Sequence, residues 1–125
     1  MTENEISFLL RGCIFKVYNN LGPGLLESAY QSALAFEIQA VGLNVRIQVP
    51  LPMIYQGEKT DVGYRIDLLV ENKVVVEIKS VESLQEVRHQ QVITYLKLAK
   101  LKLGLLVNFN TVDIAKNIIR KVNGL

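Results

Sequence analysis

Three residues near the middle of the chain have types and spacing suited to one kind of chemistry. Asp67 stands in "RIDLLV", and after nine intervening residues "VVVEIKS" supplies Glu77 and, two positions on, Lys79. Two carboxylates brought together can hold a hard divalent cation such as Mg²⁺ or Mn²⁺, which takes oxygen ligands and keeps waters for exchange. An ammonium on the same strand face can orient water and stabilise charge developing on a phosphate. The combination suits phosphodiester hydrolysis. Asp, a gap and Glu-x-Lys also occur in hairpins whose charges face solvent. Here the surrounding run is too apolar on both faces for a solvated edge strand, which favours a sheltered site.

The carboxylates meet only if their segments pair. "GYRIDLLV" and "VVVEIKS" flank Glu71, Asn72 and Lys73, the length and composition of a hairpin turn. With the turn centred on Asn72, Val70 faces Val74, Leu68 faces Val76 and Ile66 faces Ile78 on one side of the sheet. Leu69 with Val75, Asp67 with Glu77 and Arg65 with Lys79 fall on the other. Every apolar residue then has an apolar partner, and two acids stand opposite one another, with Cβ atoms ~5 Å apart. At an effective dielectric of about 20 such a pair repels by about 3 kcal/mol, a penalty that a bound cation would turn into affinity.

Around this hairpin the periodicity predicts the order ααβββαβα: an α/β fold with a mixed sheet of about four strands flanked by helices. Thr2 and Glu5 have capping-box spacing, and Ile6, Leu9, Leu10, Cys13 and Val17 keep a helical period to about Asn19. A second helix starts near Gly24 or Leu25, with Leu26, Ala29, Tyr30, Ala33 and Leu34 on one side, and stops at Gly42. "LNVRIQVPLPMIYQG" alternates as a first strand, with Val45, Ile47 and Val49 facing one way and Pro50 and Pro52 marking an edge or bend. Residues 82–100 return to helical period, "KLGLLVNFN" reads as a fourth strand, and "VDIAKNIIRKV" reads as a closing helix. No repeat or linker interrupts the chain, so residues 1–125 read as a single domain.

Composition excludes more than it selects. Half the residues are hydrophobic and 21% are charged, an ordinary globular balance rather than a disordered one. Fourteen Lys and Arg against twelve Asp and Glu give +2, which permits nucleic acid as a partner without requiring it. The one cysteine, Cys13, has no partner for an internal disulfide. No apolar run reaches membrane-spanning length, and "MTENEISFLL" carries acids where a secretory signal carries Lys or Arg, so a cytoplasmic setting is expected.

These residues resemble the core of the PD-(D/E)xK nuclease superfamily. Asp67 followed by "EIK" matches its metal-site strands, and "GLLESAY", Gly24 to Tyr30, is similar to the signature of the GxxExxY proteins within it. The likeness extends through "QVPLPMIYQG", "RIDLLVENKVVVEIKS", "QVITYLK" and "LGLLVNFN", nearly the whole chain. It implies a restriction-endonuclease-like core and a nuclease dependent on Mg²⁺ or Mn²⁺. Asp67 and Glu77 would then be metal ligands, Lys79 the catalytic lysine, Glu27 a further acidic ligand and the Ile78 carbonyl a fourth. Gln91 and Tyr95 resemble the Q-x-x-x-Y motif of RecB-like exonucleases, whose helix touches substrate or lysine, and i, i+4 spacing puts them on one face. The Pro that names the superfamily is replaced by Ile66, and His89 stands one position off the family's histidine, so no role is given to it.

Each position also has a structural reading. An acid in the first turn of a helix, as Glu27 is, is favoured by the helix dipole with or without a site. Tyr30 either hydrogen-bonds near the metal and substrate or packs its ring with a polar tip. For the whole chain the expected function is a metal-dependent nuclease acting on DNA or RNA. The alternatives are an inactive nuclease-fold module that binds nucleic acid or protein, and a hydrolase of another phosphoester.

Overall fold

Thr2 opens the first helix with the reciprocal cap that its spacing predicts. Its hydroxyl accepts from the Glu5 N–H at 3.1 Å and the Glu5 carboxylate accepts from the Thr2 N–H at 2.9 Å. The computed structural model describes all 125 residues. Helix α1 spans Glu3–Leu21 and α2 spans Glu27–Ala40, ending at Gly42, whose φ of 86° suits the residue after a helix. The inward face of α2 is Tyr30, Leu34, Ala35 and Ile38, while Leu26 is exposed.

The strands are β1 (Val45–Pro50), β2 (Met53–Tyr55), β3 (Glu58–Thr60), β4 (Arg65–Val70), β5 (Val74–Lys79), β6 (Leu103–Asn108) and β7 (Ile118–Val122), with α3 (Glu86–Ala99) between β5 and β6. Five of them form one sheet in the order β1-β4-β5-β6-β7, parallel only between β5 and β6. The α/β class and the mixed sheet are as the sequence predicts.

Two segments differ from expectation. The long first strand breaks at Leu51 and Pro52, and its second half forms an arm, β2 paired with β3. Gln56 and Gly57 both have positive φ there (53° and 80°), as a two-residue hairpin turn requires. The expected closing helix is instead a 3-10 turn, Ile114–Asn117, followed by β7. All six residues of β6 are buried, so its outer edge needs a partner, and β-branched Ile118, Ile119 and Val122 supply a strand that pairs with it. Tertiary pairing overrides the local helical pattern.

Helices α1 and α2 cover one face over a core cluster of 21 buried residues, including Leu68, Val70, Val74, Val76 and Ile78. On the other face a cluster of seven is closed by Tyr95 and Leu96 of α3 against Leu69 and Val75. Ile66 joins this smaller cluster with Val49 and Leu51, not the face of Leu68 where its parity puts it. Nor do Val45, Ile47 and Val49 share a face: Val45 packs against the larger cluster, Ile47 is exposed and Val49 lies in the smaller one. The alternation slips at Gln48, whose φ of 52° is left-handed. Strand β1 pairs with β4 at Ile47–Leu68 and again at Val49–Ile66, with no pair between. The residue facing Gln48 across that gap is Asp67.

Candidate active site

The hairpin register holds where it is apolar and stops where it becomes charged. Strands β4 and β5 pair at Val70–Val74, Leu69–Val75 and Leu68–Val76, as expected, and no further. Beyond Leu68, β4 pairs with β1 through Ile66 and Arg65, while β5 continues beside β6 to Lys79. The expected Ile66–Ile78, Asp67–Glu77 and Arg65–Lys79 ladder pairs are therefore absent.

Side chains take over the backbone groups that this parting releases. Glu77 Oε2 accepts from the Asp67 N–H at 2.7 Å, and Asp67 Oδ2 accepts from the Ile78 N–H at 2.8 Å. Each carboxylate thus bonds the opposite strand, which explains how acids persist in strands that are otherwise apolar. Asp67 Oδ1 also accepts from Gln48 Nε2 at 3.1 Å, and the same Gln48 amide donates to Gln31 Oε1 at 2.6 Å.

Burial dominates the electrostatics. Glu77 is 3% exposed, and desolvation, followed by the charge of Asp67, pushes its carboxyl up to about 8. Asp67 is raised too, chiefly by desolvation, against the lowering effects of the Ile78 N–H, the Gln48 amide and Lys79. Charge on Glu27 raises both acids and charge on Lys79 lowers both, so all four groups share one electrostatic neighbourhood. Half-buried Lys79 forms no salt bridge within 4.0 Å.

Glu27, first residue of α2, accepts from the Ser80 N–H at 3.2 Å, and the Ser80 hydroxyl donates to the Leu25 carbonyl at 2.7 Å. The end of β5 is thereby tied to the start of α2. Glu27 and Asp67 line a common cleft of about 390 Å³ with Ser28, Gln31, Gln48 and Ile78. Gln91 and Tyr95 lie on the other side, lining a separate pocket with Tyr64, and Gln91 Nε2 donates to the Tyr95 hydroxyl at 3.0 Å. Burial and then the Glu77 charge raise the Tyr95 phenol. Tyr30 reaches neither. It is fully buried, stacks on Phe109 with centroids 4.4 Å apart, and its hydroxyl donates to the Gly22 carbonyl and accepts from the Leu25 N–H. Its place is structural, holding the turn that presents Glu27.

In donor type the residues fit a hard divalent cation. No buried side-chain oxygen lacks a partner, yet Glu77 Oε1 accepts no hydrogen bond, so solvent reaches that oxygen. The Ile78 N–H points at Asp67, and in a strand the carbonyl of a residue faces the same way as its N–H. The side chains are not gathered into a finished cage: no three His, Cys, Asp or Glu groups converge on one point.

Gln48, Gln31, Ser80 and Tyr64 join the site without having been picked out from sequence. None had a local signal, since it is the observed register of β1 on β4 that sets Gln48 against Asp67. No helix is long and apolar enough to cross a membrane. Searches of curated proteins and of solved structures returned no match. A family model described as the PD-(D/E)XK nuclease superfamily matches residues 4–122. That span holds both strands of the parting hairpin, the helices on either side and every acid described above, and the chain belongs to the PD-(D/E)XK nuclease superfamily.

Proposed function

We propose that residues 1–125 form a single-domain, divalent-cation-dependent nuclease of the GxxExxY group, hydrolysing phosphodiester bonds in DNA or RNA. The observation that carries this reading is the crossed pair of bonds by which Asp67 and Glu77 hold β4 and β5 apart, with Lys79 on the same strand. Asp67, Glu77, the Ile78 carbonyl and Glu27 are the groups that would hold Mg²⁺ or Mn²⁺. Such an ion would supply activation of water and offset the negative charge of the phosphate. Lys79, free of any salt bridge, would stabilise charge on a non-bridging phosphate oxygen. Gln91 and Tyr95 contact the nucleic acid from the α3 side. A cytoplasmic setting agrees with this substrate and with the buried free thiol of Cys13.

A second reading, a nuclease-fold module that binds nucleic acid or protein without cleaving, is favoured by the lack of three converging acids. One experiment separates them. The protein is incubated with labelled single- and double-stranded DNA and RNA in Mg²⁺, Mn²⁺ or EDTA. Cleavage that requires the metal and vanishes in Glu77→Ala supports the nuclease; binding with no cleavage in any metal supports the module.

A further inference from the structure

The pocket between α3 and the foot of the β2–β3 arm belongs to none of the groups assigned so far except Gln91 and Tyr95. It measures about 270 Å³, below the ~300–1,000 Å³ of drug-sized sites and suited to a small planar group. Its outer wall is Tyr64, whose side chain is 40% exposed although it sits where the chain enters β4. The backbone there is pinned, since the Tyr64 carbonyl accepts from the Leu51 N–H at 2.9 Å and from Arg65 Nη1 at 3.1 Å. Such an anchor fixes the backbone from which the ring projects. The Tyr95 ring lies 5.9 Å away, tilted by 50°, and forms the inner wall.

The polar lining is equally specific. Gln91 spends its amide N–H on Tyr95 and leaves its carbonyl oxygen unbonded, while Gln90 and Thr94 add further donors and acceptors. Arg88 supplies the one formal charge, and no carboxylate lines this pocket, whereas Glu27 and Asp67 line the cleft across the sheet. One hollow therefore suits a cation. The other suits an uncharged aromatic ring attached to an anion.

We infer that this pocket is a stacking subsite for an unpaired nucleobase, with Tyr64 as the platform and Arg88 beside the attached phosphate, so that the nuclease proposed above takes single-stranded nucleic acid. In a duplex both faces of a base are covered by its neighbours, and only an unpaired nucleotide can lay one on Tyr64. Every base has such a face, so the subsite selects strandedness and not sequence. Tyr95 lines this pocket and also packs in one cluster with Leu69 and Val75, each two residues along its strand from Asp67 and Glu77, so the stacked nucleotide lies on the strands that carry the acids.

The test is metal-free binding by the full chain in EDTA, read by fluorescence anisotropy with labelled mixed-sequence oligonucleotides: single-stranded DNA, single-stranded RNA and the duplex of each. Tyr64→Leu should weaken single-strand affinity roughly ten-fold while Tyr64→Phe retains it, with duplex binding unchanged in both. A loss confined to DNA or to RNA supports the subsite and names the strand it takes. Tyr64→Trp introduces the only tryptophan of the chain, and its fluorescence should be quenched by single strands. The subsite is overturned if Tyr64→Leu binds single strands like wild type, if it loses duplex and single-strand binding equally, or if the Tyr64→Trp signal is indifferent to single strands. Because the readout needs no metal, a wild type that binds in this way but never cleaves would overturn the nuclease reading alone. Cleavage with an unimpaired Tyr64→Leu would overturn the subsite alone.

Discussion

The two ends of the β4–β5 hairpin obey different rules. At the turn, Val70, Leu69 and Leu68 meet Val74, Val75 and Val76 in a continuous ladder, each residue no more than 7% exposed. At the other end the strands part, and Asp67 and Glu77 accept from backbone N–H groups that the ladder has released. The closed end stores stability in apolar contact, and the open end exchanges some of it for a parting bridged by acids. Charge inside an apolar strand can thus be read as a substitute for pairing. Glu77 caps the parted strand with Oε2 and keeps Oε1 without a partner, whereas both oxygens of Asp67 are bonded.

The largest contrast between the two ends should be in activity. Lys79→Ala is expected to lower metal-dependent cleavage by about 10²-fold or more while leaving Mn²⁺ affinity near that of wild type, and Glu77→Ala is expected to lose both. Val76→Ala, one residue away at the closed end, should keep cleavage per folded molecule. A cleavage assay beside calorimetric Mn²⁺ titration reads the two effects separately. Equal loss of cleavage in Val76→Ala would erase the distinction.

Next comes the pH dependence of metal-free stability. The folded-state pKa of Glu77 is raised from 4.5 to about 8, so between these values the native state binds more protons than the unfolded chain. Stability should then fall as pH rises through that window, by on the order of a few kcal/mol, and the raised pKa of Asp67 adds to it with the same sign. Glu77→Gln should flatten the slope. Denaturant melts of both proteins at pH 5 and pH 8 in EDTA check this, and a wild type more stable at pH 8 would contradict it.

Much of this division is legible in the sequence. Alternation and turn length fix the apolar pairs of β4 and β5, and the run "VVVEIK" shows that its acid needs a partner. The parting is not legible, because it depends on the left-handed kink at Gln48 and on β1 and β6 each drawing one strand away, which no local pattern reports. For the same reason β7 reads as a helix: the unpaired edge of β6 that recruits it is a tertiary fact. Glu27 and Tyr30 are three residues apart on α2, and only the fold separates the acid at the cleft from the ring in the core.

Smaller effects should come from the packing that sets the frame. Val76→Ala removes buried methyl groups at the closed end and should cost about 2 kcal/mol. Gly104→Ala should cost about 1–3 kcal/mol, because a Cβ there would lie 2.8 Å from Val92 Cγ1 and push α3 off the sheet. Since α3 carries Gln91 and Tyr95, that variant should also bind nucleic acid more weakly. Least is expected of Gln48→Ala, about 1 kcal/mol or less, since it removes one exposed amide from Asp67 while the bond from Ile78 remains. Thermal melts order the three.

Whether the open end is built to take a divalent cation is decided by calorimetric titration of Mn²⁺ at pH 7 in two buffers of different ionisation enthalpy. With the Glu77 carboxyl pushed up to about 8, the metal must displace its proton. Wild type should bind Mn²⁺ with release of about one proton per ion, and Glu77→Gln should show neither the binding nor the release. Equal Mn²⁺ binding by both proteins, or no binding by wild type, would contradict it.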